Sequence, residues 1–201
     1  MKLTLFITGT DTGVGKTVLT ALLVKFLRER GVNAAALKPV CSGGRSDARK
    51  LFAMMDGALP LDKINPWHFR AAIAPLPAAR RENKTVKLSQ VVARIRAMQK
   101  RFDVLLVEGA GGLLSPLGRN FNSRDLIVAL RAMPIIVAQN KLGAVNQVLL
   151  ALEALPKNLR SKAHVVLNSP QSPDASTKTN ASLLAEFFDA ERIFLLPRLN
   201  K

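Results

Sequence analysis

Short apolar runs alternate with stretches of helical periodicity along this chain of 201 residues. Apolar side chains at helical spacing predict helices that bury one face, and continuous apolar runs between turn residues predict buried strands. The predicted strands cover residues 3–7, 33–38, 103–108, 134–138, 164–167 and 192–196. The predicted helices cover residues 18–30, 46–55, 123–131, 143–155 and 180–189, with a further helix beginning at residue 89. This alternation predicts an α/β fold: a three-layer, doubly wound and mostly parallel sheet with helices on both faces.

One segment, residues 57–87, departs from the alternation. Its prolines, which would break any long element, are Pro60, Pro66, Pro75 and Pro77. The segment is too short to enclose a hydrophobic core of its own. We therefore expect residues 1–201 to form a single domain, in which residues 57–87 are an irregular covering segment.

A glycine-rich turn, GTDTGVGKT at residues 9–17, joins the first predicted strand to the first predicted helix. Strand, glycine-rich turn and helix, in that order, are the context of a phosphate-binding loop. Because Gly13 and Gly15 have no side chain, backbone N–H groups can converge on a phosphate, and the helix N-terminus adds partial positive charge. Lys16 is placed to reach the β- and γ-phosphates, and the Thr17 hydroxyl to bind Mg²⁺. The glycine spacing is longer than usual, but an ordinary turn does not explain a Lys-Thr pair after the last glycine.

Charged residues follow two of the other predicted strands. Glu108 ends an apolar strand and precedes a Gly-Ala-Gly-Gly turn, and Lys38 directly follows another apolar strand. A carboxylate in such a place is costly to bury unless it is paired or binds a metal, and Mg²⁺ is the natural partner beside a phosphate loop. Asp47 lies in the first turn of a predicted helix, where an acid is often only a cap. Since ligands of parallel sheets bind beyond the carboxyl ends of the strands, we expect these residues to share one site.

Composition and charge limit the binding partners and the cellular location that the sequence predicts. The net charge is +16, from 30 Lys and Arg against 14 Asp and Glu, which makes nucleic acid a partner to test. The basic residues are spread along the chain, Tyr is absent and aromatic residues make up only 5%, so a base-stacking surface is not expected. No apolar run predicts a membrane span. A single cysteine, Cys41, excludes an internal disulfide and fits a reducing, cytoplasmic location.

Four segments together resemble the dethiobiotin synthetase family. They are GTDTGVGKT at residues 9–17, KPVCSG at 38–43, VEGAGG at 107–112 and NKLGAVNQ at 140–147. Their order and spacing follow the pattern of that family and cover most of the chain. The resemblance implies a P-loop NTPase fold, ATP and Mg²⁺ as cofactors, and a homodimer with shared active sites.

The resemblance also implies roles for individual residues. Catalytic roles fall to Lys38 and Lys16, and Mg²⁺ would be bound by Thr17, Asp47 and Glu108. The nucleotide would be bound by Gly13, Val14, Gly15, Lys16, Thr17, Val18, Asp47, Glu108, Gly109, Ala110 and Gly111, and at its base by Asn168, Ser169, Pro197, Arg198 and Leu199. The substrate would be bound by Thr12, Ser42 and, from the neighbouring subunit, Gly143, Ala144, Val145 and Asn146.

The chemistry implied by the family fits these residue types. The substrate, 7,8-diaminononanoate, takes up CO₂ as a carbamate, whose oxygen attacks the γ-phosphate of ATP to give a carbamic–phosphoric anhydride. The second amine then closes the ring and releases phosphate, giving dethiobiotin for biotin biosynthesis. No nucleophilic side chain is needed, so positioning and charge neutralisation supply the catalysis.

Two alternatives remain open from the sequence. Another ATP-dependent amidoligase of the same fold, such as a relative of cobyrinic acid diamide synthetase, would use a similar phosphate loop. A partition-type switch ATPase that binds DNA would suit the positive charge, but Asp11 stands where those proteins carry a signature lysine.

Ala72 and Leu76 stand where dethiobiotin synthetases often have Pro and His. The chain also ends at Lys201, soon after the expected base-binding residues, which leaves the base preference open.

Overall fold

The computed structural model describes residues 2–170 and 172–198. The strands are β1 (Leu3–Gly9), β2 (Ala34–Leu37), β3 (Val40–Ser42), β4 (Trp67–Phe69), β5 (Val104–Glu108), β6 (Pro116–Gly118), β7 (Phe121–Asn122), β8 (Met133–Gln139), β9 (His164–Asn168) and β10 (Ile193–Leu196). The α-helices are α1 (Lys16–Glu29), α2 (Ser46–Met54), α3 (Leu61–Ile64), α4 (Pro75–Arg81), α5 (Leu88–Gln99), α6 (Ser123–Leu130), α7 (Ala144–Glu153), α8 (Lys157–Arg160) and α9 (Asn180–Ala185). Short 3₁₀ helices span Ala175–Lys178 and Ala190–Arg192.

A six-stranded parallel sheet in the order β10-β9-β8-β1-β5-β2 forms the centre of the molecule. The chain builds one side of β1 first and then returns to build the other, which makes the sheet doubly wound. Phe6 and Ile7 follow one another in β1 and therefore point to opposite faces, and both are 0% exposed. Both faces are thus covered, and the predicted fold class is confirmed.

The strand register brings the ends of three strands together. Ile7 of β1 is paired with Glu108 of β5, and Leu37 of β2 is paired with Val107 of β5. Lys38, which follows β2, therefore comes level with Glu108. The phosphate loop that follows β1 begins at the same edge of the sheet.

The buried face of α1 differs from its prediction. We expected one face made of Leu19, Leu22, Leu23, Phe26 and Leu27. The structure buries Leu19 and packs Leu23 and Leu27 partly against the core, as predicted. It also buries Thr20 and Val24, whereas Phe26 is 48% exposed. Helix α1 packs against both the sheet and α2, so its covered surface is broader than a single stripe. The guanidinium of Arg30 covers the exposed Phe26 ring at 3.5 Å from its centroid.

The segment of residues 57–87 is more regular than predicted, because it contains α3, β4 and α4. Strand β4 pairs in parallel with β3, next to the loop that follows Lys38. Two main-chain bonds extend this contact: Lys38 N–H donates to Ile64 O at 3.0 Å and Gly43 N–H donates to Ala71 O at 3.0 Å. The segment therefore lies against one wall of the site. Apolar residues from both the sheet and this segment belong to one core cluster, which supports the single-domain hypothesis.

The predicted helix over residues 180–189 is shorter in the structure, where α9 ends at Ala185. Asp189 starts a 3₁₀ turn instead, because its carboxylate accepts the Glu191 N–H at 3.1 Å. Among the helices of residues 2–170 and 172–198, none has the length and apolar character that crossing a bilayer requires.

Candidate active site

The phosphate loop has the backbone that its glycines predict. Gly13 and Gly15 both lie in the left-handed region, with φ of +76° and +104°. Lys16 opens α1 and is buried, and its Nζ donates to Asp11 O at 2.6 Å. Burial and, next, the nearby Lys38 ammonium lower the pKa of Lys16 to about 8. A cation that has lost its hydration in this way gains most when an anionic phosphate enters the loop.

Asn168, at the end of β9, is packed against the phosphate loop. Its Nδ2 donates to Val14 O at 3.0 Å. A Cβ atom added to Gly15 would lie only 2.3 Å from that Nδ2 atom. Two features therefore exclude a side chain at position 15: the positive φ and the close approach of Asn168. The Asn168 amide oxygen remains available to a ligand outside the loop.

A buried ion cluster lies beside the loop, with Lys38 at its centre. Lys38 is 2% exposed, and its Nζ lies 2.6 Å from Glu108 Oε1 and 3.2 Å from Asp47 Oδ2. The same Nζ donates to Gly109 O at 2.9 Å. Burial alone would lower the pKa of Lys38, but the Glu108 and Asp47 carboxylates outweigh it and raise the pKa above its usual value. Lys38 is therefore a fixed positive charge at neutral pH.

Glu108 connects the ion cluster to the phosphate loop. Its Oε1 accepts the Thr17 hydroxyl at 2.7 Å as well as the Lys38 ammonium. Its Oε2 is buried without a hydrogen-bond partner. An unpaired carboxylate oxygen next to a hydroxyl and a second carboxylate, that of Asp47, is a set of hard oxygen donors that fits Mg²⁺. Within residues 2–170 and 172–198, no group of three or more acids, His or Cys is placed to hold a metal, so waters and phosphate would complete the coordination.

A cavity of about 670 Å³ lies over the loop and the cluster. The expected site residues on its wall are Thr12, Gly13, Gly15, Lys16, Thr17, Val18, Lys38, Ser42, Asp47, Glu108, Ala110 and Gly111. The opposite wall comes from the covering segment, at residues 72–75. There the Ser42 hydroxyl donates to Ile73 O at 2.5 Å, which ties the two walls together.

Other expected site residues lie outside this cavity. Val14 and Gly109 meet the site through their carbonyl groups, as described above. Asn168 is the last residue of β9 and Ser169 follows it, next to the end of β10, where Ser169 N–H donates to Leu196 O at 3.0 Å. Pro197 and Arg198 come directly after β10. Leu199 lies outside the described residues. Gly143, Ala144, Val145 and Asn146 form the start of α7 and do not line the cavity within this chain.

Two residues next to the site, Asn65 and Arg45, were not expected from any pattern in the sequence. Asn65, in the covering segment, is 0% exposed and bonds to the Lys38 main chain, and Arg45 joins it from the start of α2. Cys41 also reaches this group, because its single S–H proton is shared between Asn65 Oδ1 at 3.2 Å and Gly44 O at 3.1 Å. Burial raises the pKa of the Cys41 thiol, so it is a packing residue rather than a nucleophile.

Comparison with known proteins identifies the family. A protein-family profile described as an AAA domain matches residues 3–201. ATP-dependent dethiobiotin synthetase BioD of Anaeromyxobacter dehalogenans strain 2CP-C is 41% identical over 96% of this chain and 89% of its own length. The protein of the same name from Akkermansia muciniphila is 40% identical over 92% of this chain and 87% of its own length.

Two solved structures share the fold at low sequence identity. A ParA family ATPase from Chlorobium tepidum TLS superposes with a TM-score of 0.62 at 11% identity, covering 100% of this chain and 86% of that one. Hydrogenase maturation factor HypB from Archaeoglobus fulgidus superposes with a TM-score of 0.53 at 16% identity, covering 98% and 81%. These likenesses confirm a P-loop NTPase-like architecture only. The sequence matches go further, and this chain belongs to the family of ATP-dependent dethiobiotin synthetases.

Proposed function

We propose that this protein uses ATP to join CO₂ to 7,8-diaminononanoate and close the ring of dethiobiotin, a step of biotin biosynthesis. The observation that carries the proposal is the buried Lys38, held between Glu108 and Asp47 at the edge of a cavity that also exposes Lys16 and Thr17. The site thus combines two cations, hard oxygen donors and a phosphate loop, and the cavity offers no activated nucleophile. That is what a reaction carried by charge neutralisation and positioning requires.

The phosphates of ATP would be bound by backbone N–H groups of the phosphate loop and by the Lys16 ammonium. Mg²⁺ would be held by Thr17, Asp47 and Glu108, directly or through water, and would neutralise charge on the phosphates. The orphaned Glu108 Oε2 supports this assignment, because a buried carboxylate oxygen without a partner is costly unless a cation meets it.

Lys38 would act on the substrate side of the transferring phosphoryl group. Its ammonium would neutralise the carbamate oxygen and the γ-phosphate as charge concentrates between them. Ser42 and Thr12, both on the cavity wall, would complete the polar contacts of the carbamate end. The carbamic–phosphoric anhydride formed in this way is then attacked by the second amine, with release of phosphate.

We further propose a symmetric homodimer in which the start of α7, residues 143–146, meets the substrate carboxylate in the partner's site. Three large apolar side chains on and near this part of the molecule support an interface: Leu142 is 81% exposed, Leu150 62% and Leu114 51%. Leu114, Gln147 and Leu150 line one surface groove of about 320 Å³. An exposed apolar surface of this kind marks an interaction site, and the partial positive charge of a helix N-terminus suits a carboxylate.

The experiment is phosphate release with ATP, Mg²⁺, bicarbonate and 7,8-diaminononanoate, omitting each in turn. We expect release to require all four, and dethiobiotin to appear in equal amount. Rapid ATP hydrolysis without the diamine, stimulated instead by DNA, would favour a switch ATPase and contradict the proposal.

Light scattering on the wild type and on Leu150→Asp tests the dimer: the variant should be monomeric, and a fully active wild-type monomer would contradict the shared site.

A further inference from the structure

Asn65 is the fully buried polar side chain of the covering segment that the proposed chemistry does not use. It follows α3, is 0% exposed, and makes a hydrogen bond at each end of its amide. Its Nδ2 donates to the main-chain carbonyl of Lys38 at 2.6 Å. Its Oδ1 accepts from Arg45 Nε at 3.2 Å and from the Cys41 thiol at 3.2 Å. A buried amide is costly without partners, and here both ends are satisfied by residues that adjoin the site.

Arg45 extends this contact towards α2. Its guanidinium donates to Leu61 O at 2.9 Å and to Asn65 O at 3.1 Å, and pairs with Asp62 at 2.8 Å. Arg45 immediately precedes α2, and Asp47 lies in the first turn of that helix. The planar guanidinium thus fixes the start of α2 against the covering segment.

We propose that Asn65 is a positioning residue that sets the separation between Lys38 and Asp47. One amide group holds the Lys38 main chain at one end and, through Arg45, the start of α2 at the other. The two charged groups that these elements carry lie 3.2 Å apart, Nζ to Oδ2. The covering segment therefore contributes to the reaction by holding the Lys38 ammonium at a fixed distance from the Asp47 carboxylate. This inference rests on the roles proposed above for Lys38 and Asp47.

The directions of the hydrogen bonds make the proposal specific. Only a group that donates at one end and accepts at the other satisfies both the Lys38 carbonyl and the Arg45 Nε–H. Asn65→Asp keeps the volume and the acceptor, but it loses the donor and faces the Lys38 carbonyl with an oxygen. Asn65→Ala removes every hydrogen bond of the side chain, at the donor end and at the acceptor end. Each change should shift Lys38 relative to Asp47 without altering the phosphate loop.

The first measurement is the steady-state kinetics of Asn65→Ala and Asn65→Asp. Because a small misplacement far from the chemistry can cost up to about a hundredfold, we expect kcat to fall by about tenfold or more in both variants. The KM for ATP should stay within about twofold, since the phosphate loop is untouched. Leu59→Ala is the matched control: Leu59 is 1% exposed in the apolar core of the same segment. At a temperature where all variants are folded, the control should keep its kcat within about twofold.

The second measurement separates positioning from a general loss of structure. Asn65→Ala is combined with Lys38→Ala, and single-turnover phosphate release is compared with that of Lys38→Ala alone. If Asn65 acts through Lys38, the second substitution should cost less than about threefold in that background. An equal loss in both backgrounds, or an unchanged kcat in Asn65→Ala, would overturn the proposal. If Lys38→Ala alone keeps full turnover, the role of Lys38 fails instead, and with it the proposed mechanism.

A third variant covers the case in which Asn65→Ala does not fold. Arg45→Lys keeps the charge but cannot make the bonds to Asn65 and Leu61 together. It should lower kcat in the same pattern, with the KM for ATP preserved. If kcat of this folded variant stays at the wild-type value, the link from the covering segment to α2 is not used, and the proposal is wrong.

Discussion

The phosphate loop and the ion cluster around Lys38 share one cavity but are built in opposite ways. In the loop the ammonium of Lys16 bonds to Asp11, five residues earlier in the chain. In the cluster Lys38 bonds to Glu108, 70 residues later. The loop obtains its geometry from its own glycines and helix, whereas the cluster exists only when the sheet register and the covering segment are in place. Substitutions in the two regions should therefore have different signatures.

Lys38→Ala should have the largest effect. Turnover should fall by about a hundredfold or more, the usual range for losing one electrostatic group that acts in the transition state. The affinity for ATP should be nearly retained, because Lys38 belongs to the cluster and not to the loop. Calorimetry for ATP binding and single-turnover phosphate release measure the two quantities.

Lys16→Ala is the counterpart from the loop, and it should reduce both ATP affinity and turnover. Lys38→Arg should retain only part of the turnover that Lys38→Ala loses, because a planar guanidinium replaces a compact ammonium in a buried site. If Lys38→Ala loses ATP binding as severely as Lys16→Ala, the distinction between the two regions is wrong.

Gly15→Ala should weaken ATP binding by straining the loop backbone and by a clash with Asn168 of β9. The new Cβ would lie 2.3 Å from Asn168 Nδ2, at a φ of +104° that a side chain rarely adopts. Strain of about 2 kcal/mol would correspond to about thirtyfold in affinity. Gly13→Ala is the control, because its φ is also positive but a Cβ there meets nothing within 4 Å. Equal losses in the two variants would show that the contact with Asn168 has no role.

Asp47→Asn tests the outer side of the cluster. The Asp47 side chain is 40% exposed, so its pair with Lys38 is partly screened and its loss should leave the fold intact. The Mg²⁺ concentration needed for half-maximal turnover should rise by about tenfold, the lower end of the range for a group that orients or ligates a metal. A Mg²⁺ titration at saturating ATP measures this. An unchanged requirement would remove Asp47 from the metal site.

His164 contrasts with Lys38, because it is a partly buried base whose Nδ1 atom has no hydrogen-bond partner among the described residues. Burial and, next, the Arg192 charge lower its pKa below the usual value of 6.5. The unfolded chain therefore binds a proton before the folded protein does, so stability is complete above pH 6.5 and falls as the pH drops below it. His164→Gln should flatten this slope, which urea unfolding between pH 5 and 7 would measure; the exposed His68 provides the control, His68→Gln. This is the smallest of the effects predicted for these substitutions.

The phosphate loop and the ion cluster also differ in how far the sequence alone predicts them. The α/β class and the residues of the phosphate loop are local, since apolar periodicity and glycine positions specify them. Glu108 and Lys38 could be proposed because each ends an apolar strand. Asn65 could not, because an asparagine among prolines carries no sign of burial until the segment folds back. The exposure of Phe26 was missed for a related reason: the surface that α1 covers depends on where α2 packs.

The position of β1 in the middle of the sheet has a consequence for synthesis on the ribosome. β1 is made first, but its two neighbours, β5 and β8, start at Val104 and Met133. The phosphate loop therefore cannot gain its sheet support until Gln139 has been translated and has left the exit tunnel. Contacts this distant in sequence slow folding and leave apolar strands exposed in the nascent chain. A chaperone bound to the nascent chain during this interval should raise the yield of native protein.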